Sequence, residues 1–301
     1  MTDISVKTGG FTPEIFSNKL NINLDNYGAY NDVVNRKYEG EIKQKGDKVH
    51  FFTLGSFTVR DYEPNATGFT GLTFDDPTGV KQTLEVDQEE YIAYKVPDVQ
   101  EIQSDINIAN EYVKRMTIAF GNKRDTYIHG LAVAGAGTKL NSSTAVTLTK
   151  DNIWAEVCKI QSILGRKNAL GKDLRDHSGK RPALVVTPEV YGMLLQCPQF
   201  FANAFGNEVL RKGQIGYLGA FDVFQDTNIE VTRTGTGADA KNTQTIIALT
   251  SEAITFAEQI TKTEFARAEK DFADLVKALR VYGGLVANAD CIVSDKVAVA
   301  A

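Results

Sequence analysis

The fold is decided by the stretch DVQEIQSDINIANEYVKRMTIAFGNKRDTYIHGL, residues 98–131, which has the pattern of one long amphipathic helix. Its apolar residues recur in steps of four and three along one face, at Ile102, Ile106, Ala109, Val113, Met116 and Phe120. At about 1.5 Å of rise per residue such a helix would be roughly 50 Å long, longer than most helices of globular domains. Pro97 and Asp98 favour a helix start, and Gly121 is a position where the helix could bend or stop.

The segment before this helix has no helical period. Residues 48–54 and 56–62 are rich in β-forming side chains, glycines punctuate the stretch, and residues 91–96 alternate as a strand does. The pattern predicts a long two-stranded excursion over 38–96 with a glycine-rich tip near 64–71. Because an isolated hairpin is barely stable in water, we expect it to lie on another surface. Residues 1–37 indicate an arm that a neighbour must bury, or else a floppy terminus.

The region after the helix has a mixed α/β pattern. We expect a flexible linker over 130–143, a helix over 151–164, a buried strand over 184–186, and a helix from Thr187-Pro188 to Leu195. Further strands are predicted at 220–224, 229–231, 245–249 and 254–256, whereas 271–279 is ambiguous between helix and strand. The fold class is therefore α+β.

Composition limits the function classes. A net charge of -5 over 301 residues argues against a dedicated nucleic-acid binder but not against a wall that encloses nucleic acid. The widely spaced Cys158, Cys197 and Cys291 indicate reduced thiols. The sequence has no evident signal peptide and no run of 18 apolar residues, so we expect no membrane segment.

Few residues suggest chemistry. Gly235-Thr236-Gly237-Ala238-Asp239-Ala240 fits a dinucleotide fingerprint, but a strand pattern follows it where a helix is required, which favours a hairpin turn. Asp173, Asp176 and His177 could hold a cation in a polar loop, although a solvated loop is the simpler interpretation. We therefore expect no catalytic, cofactor-binding or metal-binding residues, no cofactor, and a protein that is not an enzyme. A site gathered from distant positions stays open.

The order of these parts resembles the major capsid protein of tailed bacteriophages, which has the Hong Kong 97 (HK97) fold. The pieces that carry the resemblance are 38–49 (YEGEIKQKGDKV), 91–98 (YIAYKVPD), 184–195 (LVVTPEVYGMLL), 216–223 (GYLGAFDV) and 264–286. It implies an N-terminal arm over 1–37, an extended loop over 38–96, a peripheral domain with the spine helix over 97–145 and 257–301, and an axial domain over 146–256.

The resemblance also implies the function: a structural protein that self-assembles into hexamers and pentamers of an icosahedral shell around double-stranded DNA. Its partners would be its own copies, a separate scaffolding protein and a portal, with packaged DNA bound without sequence specificity and no membrane. It would reside in the virion capsid after assembly in the bacterial cytoplasm. An encapsulin-like compartment shell and, more remotely, a nucleotide-using α/β enzyme remain alternatives. The candidate contacts between subunits are Phe51, Phe52, Phe57, Arg60, Glu85, Glu89 and Glu90.

Overall fold

The computed structural model describes residues 28–38, 46–54, 58–61, 74, 76, 79–97, 108–197, 217–236, 240–268 and 272–300. This part of the chain forms three sheets, one long helix, α1 (Ile108–Gly135), and two shorter helices, α2 (Ile153–Arg166) and α3 (Pro188–Leu195). Single turns of 3₁₀ helix lie at Tyr30–Asp32 and Ala289–Cys291. The strands are β1 (Lys48–Leu54), β2 (Gly79–Glu85), β3 (Gln88–Pro97), β4 (Thr138–Leu140), β5 (Val146–Thr147), β6 (Ala183–Val186), β7 (Tyr217–Leu218), β8 (Phe221–Gln225), β9 (Val231–Thr234), β10 (Lys241–Leu249), β11 (Ile254–Arg267), β12 (Ala273–Val286) and β13 (Ile292–Ala300).

The largest sheet holds the main core. Its strand order is β4-β13-β10-β6-β8-β7, with β5 joined to β13 and β9 to β10. Strand β6 is the unbroken apolar run ALVV, and all four residues are buried, as expected for a strand covered on both faces. The predicted strand at 184–186 is thereby confirmed. Helix α2 confirms the helix predicted over 151–164. Thr187 begins α3 as predicted, because its side-chain oxygen accepts a hydrogen bond from the Val190 backbone N–H at 3.5 Å.

The second sheet lies against α1. Its order is β11-β12-β3, all antiparallel, and the ambiguous stretch 271–279 belongs to β12. Along β12 the even-numbered residues face the helix, where Val276 and Ala278 form a cluster with Met116 and Phe120. Both helix residues belong to the apolar stripe predicted from the sequence, so the buried face of the helix is confirmed over this part.

Helix α1 differs from the prediction at its carboxyl end. It continues past Gly121 and Gly130 to Gly135, so the expectation of a linker over 130–143 is wrong, and residues 138–140 form β4. The physical reason is that the buried face also continues, with Ile128 and Ala132 one turn apart in the core. Residues 98–107 of the predicted helix lie outside the described residues.

The last strand belongs to the large sheet. Strand β13 falls in the range 257–301, which we assigned to the peripheral domain, and it pairs with β10 over nine residue pairs and with β4 on its other side. It is therefore a central strand of the large sheet, which contains strands assigned to the axial domain. The alternation of apolar residues in IVSDKVAVA identifies a strand but does not indicate which sheet receives it. The overall division into four domains stays a prediction.

Candidate subunit-contact surface

A hairpin formed by β1 and β2 projects from the second sheet, as predicted for the base of the extended loop. Seven residue pairs run from Lys48 opposite Glu85 to Leu54 opposite Gly79. The base of the hairpin is buried, because Val49, Leu84 and Val86 pack on Ala257 and Val281 of the sheet. The backbone N–H of Gly46 donates to the Val86 carbonyl at 2.9 Å and closes this base.

Close backbone approach fixes the hairpin on the sheet. A Cβ atom at Gly283 of β12 would lie 2.2 Å from the Glu85 carbonyl oxygen and 2.9 Å from the Val86 Cα. Only glycine permits this distance. Gln82 adds a second attachment, because its side-chain amide donates to the Ala287 carbonyl at 2.8 Å. The hairpin therefore leaves the second sheet in a fixed direction.

Farther from the base, the hairpin exposes apolar side chains on both faces. Val80 shares the inward face with Gln82 and Leu84, since alternate residues of a strand point the same way. It is nevertheless 65% exposed, because no described part of the chain lies beneath it. Phe52, on the opposite face, is 70% exposed. An apolar surface that continues beyond its own support is typical of a contact with another molecule.

The predicted contact residues fall into two groups. Phe52, Arg60 and Glu89 are exposed, while Glu85 pairs with Lys48 at 2.9 Å on the open face of the hairpin. Phe51 is half-buried and stacks on Tyr38 of the same chain, with ring centroids 5.4 Å apart. Phe57 lies outside the described residues. A role between subunits stays a prediction for all of them.

Glu90 has partners within its own chain. Its carboxylate oxygens accept hydrogen bonds from the Arg280 guanidinium at 2.8 Å and from the Tyr282 hydroxyl at 2.7 Å. Burial, together with this hydrogen bond, raises the pKa of Tyr282. Glu90 thus stabilises the second sheet from within.

Arg280 lies at the centre of a charged cluster between the second sheet and α1. Only 2% of it is exposed, and its guanidinium also donates to the Phe120 carbonyl at 2.7 Å and to Glu258 at 3.3 Å. Its carbon Cζ lies 4.6 Å from the Phe120 ring centroid and 4.7 Å from that of Tyr282. We name Arg280, Glu90, Glu258, Arg124 and Arg36 the arginine clamp, because Glu258 also accepts from Arg124 and from Arg36, each at 2.8 Å.

The arginine clamp was missed from the sequence, although a signal existed. Arg280 shares its position in the strand alternation with Val276, Ala278 and Tyr282, which are all buried. A charged residue on the apolar face of a strand needs a buried partner. The partners come from β3 and β11, and no local pattern relates those segments to β12.

The end of the predicted arm is part of the core. Tyr30, Val33 and Val34 are buried in the main cluster, so residues 29–34 do not need a neighbour to cover them. We call residues 28–36 the arm root. Its backbone pairs with β11, because the Asn35 N–H donates to Ile254 at 3.0 Å and the Asn35 carbonyl accepts from Phe256 at 2.9 Å. Residues 1–27 of the arm lie outside the described residues.

The two motifs that suggested other chemistry have structural roles. Residues 235–240 join β9 to β10, with Lys241 opposite Thr234, so the hairpin interpretation of the dinucleotide fingerprint is confirmed. The Asp176 carboxylate organises its own loop by accepting backbone N–H groups of Ser178, Lys180 and Ser251 at 2.8–3.1 Å. Among the described residues no three His, Cys, Asp or Glu side chains are grouped closely enough to hold a metal ion. Within the same part of the chain, no helix is both long and apolar enough to cross a membrane.

Comparison with known proteins gives matches at the level of structure. No protein-family profile matches the chain, and no curated protein sequence does. A structure from Mycobacterium phage Che8 has a TM-score of 0.75 at 23% identity, over 95% of this chain and 97% of that one. The capsid structure of cyanophage P-SCSP1u has a TM-score of 0.71 at 14% identity, over 96% and 93%. The mature capsid of bacteriophage PhiM1 has a TM-score of 0.66 at 14% identity, over 95% and 91%.

These matches define the class of fold. The chain has the fold of phage capsid proteins, and the HK97-like α+β architecture predicted from the sequence is confirmed. More than nine-tenths of each chain is covered, so the similarity extends over the hairpin, the spine helix and both larger sheets rather than over one domain.

Proposed function

We propose that this chain is a major capsid protein, a structural protein and not an enzyme, whose copies assemble into hexamers and pentamers of an icosahedral shell around double-stranded DNA. The observation that carries the proposal is the hairpin, which is rigidly fixed at its base yet exposes Phe52 and Val80 beyond it. The capsid fold of the whole chain supports the same conclusion.

The energetics favour contact with another copy. Burying a Phe or Val side chain stabilises by about 1.5–3 kcal/mol, and in a shell each subunit would make such contacts repeatedly. A hairpin that lies on the next subunit makes a contact between unlike surfaces, and such contacts close into rings when the rotation allows. The net charge of -5 suits a wall that does not adhere strongly to phosphates.

The remaining partners belong to the same proposal. A separate scaffolding protein would guide assembly in the bacterial cytoplasm, a portal would occupy one vertex, and the finished protein would reside in the virion. The four-domain division, with residues 1–27 as an arm lying across a neighbouring subunit, completes the proposed arrangement.

Assembly of the purified chain tests the function. Negative-stain electron microscopy should show closed shells, and light scattering should show capsomers of five or six times 33.0 kDa. Protection of DNA from added nuclease by shells isolated from infected cells would support the phage function. Shells that contain protein cargo and no DNA would instead indicate an encapsulin-like compartment, and a chain that stays monomeric at every concentration would contradict both.

Variants of the hairpin test the contact surface. Phe52→Asp and Val80→Asp should abolish shells while leaving the unfolding midpoint of the unassembled chain unchanged, because both side chains are exposed there. Phe51→Asp is a poorer test, since Phe51 packs on Tyr38 within the chain. Ala155→Asp, on the exposed face of α2, is the control. Normal shells from the double Phe52/Val80 variant would show that the hairpin is not an interface.

Deletion of residues 1–27 tests the arm. The arm root is retained in this variant because Tyr30, Val33 and Val34 belong to the core. We expect a folded chain that assembles poorly. Normal shells would remove the arm from the proposed assembly.

A further inference from the structure

A buried acid and a buried base lie one helical turn apart where α1 meets the arm root. Asp125 is fully buried and His129 is 7% exposed. The Tyr30 hydroxyl lies 2.7 Å from His129 Nδ1, and the two rings meet edge to face. Asp125 accepts a hydrogen bond from the Tyr30 backbone N–H. Asp125 and His129 thus both contact the same residue of the arm root, Tyr30.

The arm root passes very close to the Asp125 carboxylate. A Cβ atom at Gly28 would lie 2.3 Å from Asp125 Oδ2, so only glycine fits there. The same oxygen has no hydrogen-bond partner among the described residues. A charged carboxylate is poorly stabilised in such a place. A protonated carboxyl group carries no charge and is therefore favoured there.

The surrounding charges come from every element that packs here. Arg124 on α1 approaches Asp125 at 3.4 Å. The same Arg124 side chain also forms an ion pair with Glu258 of β11 at 2.8 Å. Asp226, which follows β8, is fully buried and faces Asp125 and Tyr30. Tyr30 is the titratable side chain that the arm root places here. Arg124 is therefore shared between two carboxylates and only partly offsets the burial of Asp125.

Burial has opposite effects on the two groups. Loss of water raises the pKa of Asp125 to about 6, against the opposing effect of Arg124, and lowers the pKa of His129 to about 4. If Asp125 were the only such group, the arm root would dock more tightly as pH falls, because docking would then take up a proton. A buried histidine alone would bind it less tightly, since docking then releases one.

We propose that Asp125 and His129 form a pH-compensating pair, which keeps the arm root docked on α1 with constant strength in mildly acidic conditions. Near pH 5 the undocked state carries an ionised Asp125 and an imidazolium. On docking, one proton leaves the imidazolium and one joins the carboxylate, so no net proton is exchanged with the solvent and the buried pair is neutral. Proton uptake by one group then cancels proton release by the other.

Hydrogen exchange of the unassembled full-length chain tests the pair. The probes are the amides of Val33, Val34 and Asn35, whose N–H groups are hydrogen-bonded in the docked root. In the wild type, protection corrected for intrinsic exchange should change less than about threefold between pH 6 and pH 4. Because this readout needs no assembly, failure of the pair and failure of the proposed function are distinguishable.

Single variants should reveal the two opposing halves. In Asp125→Asn, protection should fall by up to about tenfold per pH unit as pH drops from 6 to 4, and by about 40-fold in total because the titration is incomplete at both ends of that range. In His129→Gln it should rise by a similar factor, and the double variant should again be flat. Asp173→Asn and His177→Gln, both at exposed positions, are the matched controls and should follow the wild type.

Several outcomes would overturn the pair. The pair would be refuted if protection changed with pH in the same direction in both single variants. It would also be refuted if both single variants showed the pH dependence of the wild type. If Asp125→Asn does not fold, isotope-detected titration of the wild type decides. A carboxyl at Asp125 that is ionised at pH 5, or an imidazolium at His129 at that pH, would refute the compensation.

Discussion

Removing the charge of Arg280 should destabilise the folded chain strongly. The replacement Arg280→Met keeps most of the side-chain volume between Phe120 and Tyr282 but leaves the carboxylates of Glu90 and Glu258 without their shared cation. Glu258 keeps Arg124 and Arg36, whereas Glu90 keeps only the Tyr282 hydroxyl among the contacts described above. The loss is therefore concentrated on one partly buried carboxylate.

The expected magnitude follows from the burial of the group. Arg280 is 2% exposed and the Glu90 side chain 25%, so water screens the pair only in part. Breaking one partner of a buried ion pair costs about 3–5 kcal/mol, and the partial exposure of Glu90 places the expected value near the lower figure. At 1.4 kcal/mol per factor of ten, a loss of about 3 kcal/mol raises the unfolding equilibrium constant roughly 100-fold.

Urea unfolding of the unassembled chain measures this loss. The matched control is Lys277→Met on the same strand, because Lys277 is exposed and its change should stay within about 0.5 kcal/mol. Adding Glu90→Gln to Arg280→Met should recover about 1 kcal/mol or more, since no unpaired charge then remains on Glu90. A cost below about 1 kcal/mol for Arg280→Met, or no recovery in the double variant, would refute the charge argument.

Two further substitutions test close packing and helix capping. Gly283→Val should displace the hairpin base from the second sheet and cost about 1–3 kcal/mol in thermal or urea unfolding, because its Cβ would meet the Glu85 carbonyl. Its control is Gly130→Ala on α1, where the new methyl group has open space around it and should stabilise the folded chain by up to about 1 kcal/mol. Equal effects at the two glycines would contradict the packing argument. Thr187→Ala should cost about 1 kcal/mol by removing the cap of α3, and the reasoning fails if Thr187→Ser, which keeps the hydroxyl, is equally destabilised.

Elements with strong local signals were predicted well from the sequence. The spine helix shows a regular apolar stripe, β6 is an unbroken apolar run, and Thr187-Pro188 begins α3 with a cap and a proline at the first helical position. Each depends on residues that are close in sequence. The order of such elements was enough to indicate the capsid fold.

Features that depend on distant residues were not predictable in the same way. The sheet that receives β13 is determined by its pairing with β10, not by its own alternation. The burial of Tyr30 depends on His129, 99 residues farther along the chain. Glu90 binds Arg280, which is 190 positions away, and no local pattern relates the two residues. Local patterns indicate which face of an element is buried but not which element covers it.

The position of β13 has a consequence for protein synthesis. This strand lies between β4 and β10, so the large sheet has a gap until residues 292–300 have left the ribosome. Pairing of β4 with β13 joins residues about 155 positions apart, which makes closure of the sheet a late step in folding. We expect chains that terminate before residue 292 to lack a completed sheet. In the proposed shell, only chains whose translation has passed residues 292–300 would therefore present a completed large sheet to a neighbouring copy.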